Sequence, residues 1–193
     1  MNADSRWVLA IGLSLIACGG GTPKAKTPTD TTTTNTDTGV SSLISGGSAG
    51  SKKAERRTND KWSACHSSFK PTTDPATDVV KLGQSCAATT KMHAVGEVMK
   101  GTQKTSELPQ SFKMRAEANH CYRVYAESTD GITDLDVIVK DSTGAIVGED
   151  STEDRDPVLM EDGAVCYSEA DDSTIVMSVG GGEGSYALQV WSD

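Results

Sequence analysis

The sequence predicts a mainly β fold, an antiparallel β-sandwich preceded by one short disulfide-stapled helix and a long polar tether. Three observations carry that prediction. Apolar residues alternate with a period of two in several short runs after residue 110. Turn-forming clusters separate the runs: "STDG" at 128–131, "DSTG" at 141–144 and "GGGEG" at 180–184. Four cysteines lie between residues 65 and 166, an even number.

The elements follow in order. Residues 61–94 form a helical, cysteine-bearing segment packed on the domain, with Asp74 as N-cap and Pro75 at the first turn of a helix over about 76–90. Val79, Leu82, Cys86 and Thr90 share one face of it. Residues 95–193 form the sandwich. "SFKMRAE" sets Phe112, Met114 and Ala116 against Lys113, Arg115 and Glu117. "CYRVYAE" places Tyr122, Val124 and Ala126 inward, and "DLDVIVK" does the same for Leu135, Val137 and Val139. "STIVMSV" and "SYALQVW" alternate likewise, the second through Tyr186, Leu188 and Val190, with "GGGEG" expected as the turn between them. Four cysteines allow three pairings. The expected pairs are Cys65–Cys86, closing the helical segment on itself, and Cys121–Cys166, tying two strands.

The strand order also resembles the pre-peptidase C-terminal (PPC) domain of secreted bacterial proteins. The matching residues are "YRVYA" before "DLDVIVKDSTGAIVGED", and the closing "GSYALQV", within 95–191. The resemblance implies a jelly-roll-like sandwich that is itself noncatalytic and serves substrate binding or solubility.

Residues 18–60 read differently. They have no periodic apolar pattern and are rich in Thr, Gly, Ser and Pro, a composition that buries too little apolar surface to offset ordering entropy. A flexible tether of that length has a root-mean-square reach of roughly 35 Å. Its basic end carries Lys52, Lys53, Arg56 and Arg57, taken as solvated linker charges.

Before the tether, "WVLAIGLSLI" at 7–16 is apolar, and as a helix it would cross only about half of a ~30 Å hydrocarbon core. It has the length of a signal-peptide apolar region, after Arg6. The run ends in "LIAC", residues 15–18, which resembles the lipobox of bacterial lipoproteins. The resemblance implies that residues 1–17 are a removed leader and that Cys18 takes lipid chains. Gly19, standing where an Asp would signal inner-membrane retention, implies outer-membrane sorting. Two or more acyl chains hold a soluble domain firmly on a bilayer, since each buried methylene contributes about 0.8 kcal/mol.

Charge narrows the partners. Residues 1–60 carry a balance of +2 and residues 61–193 one of −11, so the folded part repels phosphate backbones and nucleic acid is not expected. The partners expected are the membrane through the lipid anchor and an envelope protein or polysaccharide.

No catalytic motif stands in a recognisable family context: the G-x-S-x-G pattern occurs only as "GGSAG" at 46–50 within the Ser/Gly-rich tether, no H-E-x-x-H occurs, and "ACHSSF" lacks the second cysteine of a haem attachment site. The reading is therefore noncatalytic, with no cofactor. No metal site is assigned, but Asp134 and Asp136 are Ca²⁺ candidates, two apart on one strand face with Asp141, Glu149, Asp150, Glu153, Asp154 and Asp156 nearby. A Ca²⁺-dependent carbohydrate- or protein-binding module is the alternative function, ahead of an unrecognised enzyme.

Overall fold

The computed structural model describes residues 53–150 and 152–193. The proposed leader, Cys18 and most of the tether lie outside these residues.

The described chain forms β1 (Ala54–Thr58), α1 (Ser63–Ser67), α2 (Pro75–Thr90), β2 (His93–Lys104), β3 (Gln110–Ala116), β4 (Cys121–Ser128), β5 (Ile132–Lys140), β6 (Ile146–Glu149), β7 (Gly163–Tyr167) and β8 (Asp171–Ser192). All strand pairs are antiparallel. One sheet runs β1–β7–β4–β8–β2 and the other β6–β5–β8–β3, so β8 belongs to both. The fold class matches the sequence expectation, and the sheet closes far enough to be nearly barrel-like.

The "GGGEG" turn is a correction. Residues 171–182 pair with β3 and β5, and residues 183–192 with β2 and β4, within one strand of 22 residues. Glycine here bends a strand instead of ending it. Gly182 sits at φ +86°, a left-handed conformation that costs a side-chain-bearing residue energy. The register with β5 shifts beside it, between Ile132 and Leu135, and such irregularities let one strand turn a corner between two sheets.

The core between the sheets holds the inward residues of each run: Met114, Ala116, Tyr122, Val124, Ala126, Leu135, Val137, Val139, Ile175, Met177, Tyr186, Leu188 and Val190. The alternation therefore read the inner face correctly on every strand it identified. It missed β1, β2, β6 and β7. β1 in particular lies within the stretch expected to be tether. Its AERRT sequence has no inward apolar stripe, and it holds by backbone pairing to β7 with help from two ion pairs, Lys53–Asp171 at 3.2 Å and Arg56–Glu149 at 3.0 Å. Edge pairing of this kind leaves no periodic trace.

A third layer covers the outer face of the first sheet. Asp74 caps α2, accepting from Ala76 N at 3.2 Å, and the helix ends at Lys91 in a left-handed conformation. Val79, Leu82 and Cys86 of α2 are fully buried, the two aliphatic side chains contributing about 1.5–3 kcal/mol each. They pack with Trp62, Tyr125, Val158, Ala187 and Trp191. Both expected disulfides are present, Cys65–Cys86 joining α1 to α2 and Cys121–Cys166 joining β4 to β7. Lying between two layers, β4 is buried at all eight positions.

Helix α2 approaches the sheet at Gly83, where the Trp191 indole occupies the space a β-carbon would need. At an open helix position Gly→Ala stabilises by up to about 1 kcal/mol. Here the sign should reverse: Gly83→Ala should destabilise by about 1–3 kcal/mol through overpacking, measured by chemical denaturation. A stabilised variant would show that helix and sheet are not in this contact.

Candidate functional site

On β4, a strand buried on both sides, the outward positions are Arg123, Tyr125 and Glu127, and the sequence alternation marks these as solvent-facing. The helical layer covers them instead: Arg123 is 0% exposed, Tyr125 1% and Glu127 1%. This is the principal cluster of titratable groups that sequence reasoning missed. A signal existed, because a helix with one apolar face must cover some sheet face. Nothing local marked which strand would lie beneath it.

Arg123 is clamped between two rings, its guanidinium carbon 5.5 Å from the Trp62 centroid and 5.3 Å from that of Tyr125. Its Nη2 donates to the Glu161 carbonyl at 2.8 Å, while Nε and Nη1 have no partner. Burial pushes its pKa below the usual arginine value, opposed by Tyr125, Asp162 and Glu161. Further along the strand, both carboxylate oxygens of Glu127 are buried without a donor. Burial raises its pKa, and the adjacent Asp156 carboxyl raises it further. Asp156 in turn accepts from Arg155 Nε at 3.2 Å and Ser128 N at 3.4 Å, and its carbonyl meets His66 Nε2 at 3.2 Å. Asp78 of α2, 1% exposed, is satisfied by Thr72 through Oγ1.

The acidic residues singled out from the sequence fall into separate local roles. Asp141 caps the "DSTG" turn, accepting from Thr143 N at 2.9 Å and Ala145 N at 3.0 Å. Asp150 accepts from Thr152, Asp154 from Asp156 N, and Glu149 pairs with Arg56. Asp134 and Asp136 do share the outer face of β5. Asp136 accepts from Ser178 Oγ at 3.2 Å, and Asp134 Oδ1 is buried without a partner. Burial raises the Asp134 pKa, with Asp136, Glu153 and Asp154 adding to it. Among the described residues, no three His, Cys, Asp or Glu side chains are placed to hold a metal ion.

An open groove of about 540 Å³ lies between the first turn of α2 and strands β2 and β8. Its polar walls satisfy one another. Tyr186 Oη donates to Gln110 at 2.8 Å, Gln110 Nε2 donates to the Thr102 carbonyl at 2.7 Å, and Thr102 meets Ser185 at 3.2 Å. The aromatic side chains are equally enclosed: Trp62, Trp191 and all four tyrosines are buried, so the described surface offers no tryptophan or tyrosine platform for a sugar ring.

Asp171 shows how the fold employs a buried carboxylate. It is 2% exposed and accepts from Ser142 N at 2.9 Å, Ser142 Oγ at 2.6 Å, Ser173 Oγ at 2.8 Å and Lys53 at 3.2 Å. Burial works against its charge, but these donors outweigh it and hold the pKa at about 2.

No protein-family model matches the chain, and no curated protein matches it either.

Because the native pKa of Asp171 lies below its ordinary 3.8, its stabilisation is complete above 3.8 and fades as pH falls toward about 2. Asp171→Asn should cost about 1–3 kcal/mol at neutral pH, by leaving buried donors without their charged acceptor. It should also flatten the acid limb of the stability curve. An unchanged acid limb in denaturant titrations at several pH values would contradict this.

Proposed function

We propose that the chain is a lipid-anchored lipoprotein of the cell envelope, sorted to the outer membrane, that presents a noncatalytic β-sandwich as a binding or structural module. The observation that carries the proposal is the cysteine inventory. Four of the five cysteines pair within the folded domain, Cys65 with Cys86 and Cys121 with Cys166. Cys18 is left over, and it stands at the end of an apolar run in "LIAC". An unpaired cysteine beside two disulfides needs a separate chemical fate, and thioether attachment of diacylglycerol supplies one. The domain is then a PPC-like module held off the bilayer by its tether.

A noncatalytic role draws support from the covering of the reactive groups. Burial lowers the Arg123 pKa and raises that of Glu127, but both lie under the helical layer, and a general acid or base must come within hydrogen-bond reach of its substrate. The partner is an envelope protein or polysaccharide, met through charge and hydrogen bonding. The outer face of β3, β8 and β5 offers Lys113, Arg115, Asp172, Thr174, Asp136 and Lys140 for that purpose.

Cys18→Ser should abolish incorporation of labelled palmitate and leave the leader uncut. Normal processing and labelling of that variant would overturn the anchor. A second reading, Ca²⁺-dependent binding, rests on the unpartnered Asp134 Oδ1 beside Asp136. It predicts that Ca²⁺ raises the melting temperature and that Asp134→Ala with Asp136→Ala removes the rise. No rise at about millimolar Ca²⁺, the range of weak extracellular sites, eliminates it.

A further inference from the structure

We propose that the Glu127–Asp156 carboxyl pair is a proton-operated latch: one shared proton fastens the segment 154–160 and helix α1 onto the first sheet, and its loss loosens them.

The geometry starts from what surrounds Glu127. The side chain is 1% exposed, so water does not solvate its charge. Both oxygens lack a hydrogen-bond donor, and the Asp156 carboxyl stands beside the side chain, its Oδ1 accepting from the N–H of the next residue, Ser128, at 3.4 Å. Two ionised carboxylates cannot bond to each other, because neither has a hydrogen to give. A single proton between them turns mutual repulsion into a charge-assisted hydrogen bond, the same reason that close carboxyl pairs elsewhere keep one proton.

Among the described residues, no cation is paired with Glu127. Arg155 opposes the shift, but its guanidinium is engaged by Asp130 through Nη1 and by Asp156 through Nε. From α2, Asp78 faces the pair as a further carboxylate and adds to the repulsion; its own cation, Lys81, lies 4.0 Å away on the exposed side. From α1 comes His66, with Nε2 on the Asp156 carbonyl and Nδ1 buried without a partner. On the β8 side the neighbour of Glu127 is Ala187, and beyond it Lys100 of β2 is exposed. Burial first, then Asp156, pushes Glu127 up to about 9.

What the latch holds follows from the hydrogen bonds of the same segment. Ala126 N donates to the Pro157 carbonyl at 3.1 Å, Leu159 N to the Val124 carbonyl at 2.9 Å, and Tyr125 bridges to Val158. The segment is thus stitched along β4, and through His66 it carries α1. The pair stands where β4, this segment, α1 and α2 meet. Loss of the proton places a buried negative charge on Glu127 beside the half-buried Asp156 carboxylate, with Asp78 behind them.

The direction follows from the raised pKa. A carboxyl that binds its proton more tightly when folded stabilises the fold fully below its unfolded value of about 4.5, and this contribution is lost as pH rises through about 9. The envelope domain is therefore tightest in acid and loosens toward alkaline pH, opposite to the trend set by Asp171.

The test is the melting temperature of the full chain in detergent micelles between about pH 5 and 9.5, together with a carbon-13 carboxyl titration of Glu127 by NMR. The wild-type melting temperature should fall across that range. Glu127→Gln keeps a neutral donor toward Asp156 and should hold it level, and Asp156→Asn should flatten it similarly. The NMR midpoint should lie several units above the ordinary glutamate value, and the fluorescence of Trp62 should shift to the red over the same pH interval. Parallel curves for the wild type and both variants would overturn the latch. So would a Glu127 midpoint in the usual carboxylate range, which is read on the wild type and does not depend on either variant folding. A rise in melting temperature on adding Ca²⁺ at neutral pH, abolished by Glu127→Gln, would assign the pair to a cation instead of a proton and would equally refute the proposal.

Discussion

The structure depends on one strand that serves two sheets. β8 runs for 22 residues, contributing its first half to the sheet with β3 and β5 and its second half to the sheet with β2 and β4. Its inward residues, Ile175 and Met177 on one side of the bend and Tyr186, Leu188 and Val190 on the other, line a single continuous core. A straight strand of this length would extend well past a small domain, at about 3.3 Å per residue. The glycines at 180–182 make the bend possible. They remove side chains where β5 approaches, most tightly against Asp134 and the Gly131 carbonyl, and they admit the positive φ at Gly182. Every other strand except β1, which pairs with β7, attaches to this strand or to a neighbour of it.

The second constraint is economy of apolar material. Apolar residues make up 36% of the chain and aromatics 5%, too little for one large core. The domain instead divides its apolar residues between two modest clusters on opposite faces of the first sheet and cross-links the outer one with Cys65–Cys86 and Cys121–Cys166. Removing a native disulfide from a small domain typically costs about 2–5 kcal/mol. Covering both faces of β4 has a consequence for charge. Arg123 and Glu127 follow the strand's alternation into a layer with no water, where Arg123 finds two aromatic rings and a carbonyl and Glu127 finds another acid. Buried polar groups of this kind add little net stability. They make the position of the helical layer sensitive to protonation, which a uniformly apolar interface would not.

The acidic surface has a simpler logic. Three of the eight carboxylates named from the sequence, Asp141, Asp150 and Asp154, cap a turn of their own loop, as Asp141 does for Thr143 and Ala145. Short acceptors two to four residues from free backbone N–H groups satisfy them locally. An excess of such residues gives the domain its strong negative charge while committing few of them to any shared site. Asp134 differs again, held against Gly180 with one oxygen unsatisfied.

The amino-acid sequence by itself determined what is local. Period-two alternation identified the inner faces of β3, β4, β5 and β8, because a strand's side chains alternate whatever it pairs with. Asp74 and Pro75 marked the start of α2, because capping involves only adjacent residues. The even cysteine count and the grouping of the cysteines pointed to the two disulfides. Tertiary structure decided the rest. β1 is a strand only because β7 offers it an edge, and nothing in AERRT announces that. "GGGEG" reads as a turn in isolation and becomes a bend because partners exist on both sides of it. Glu127 looks like a solvent-facing residue until α1, α2 and the 154–160 segment close over it. Its proton affinity belongs to that assembly: desolvation and a neighbouring charge are properties of the space around a group, and only the folded chain brings Asp156 and Asp78 into that space.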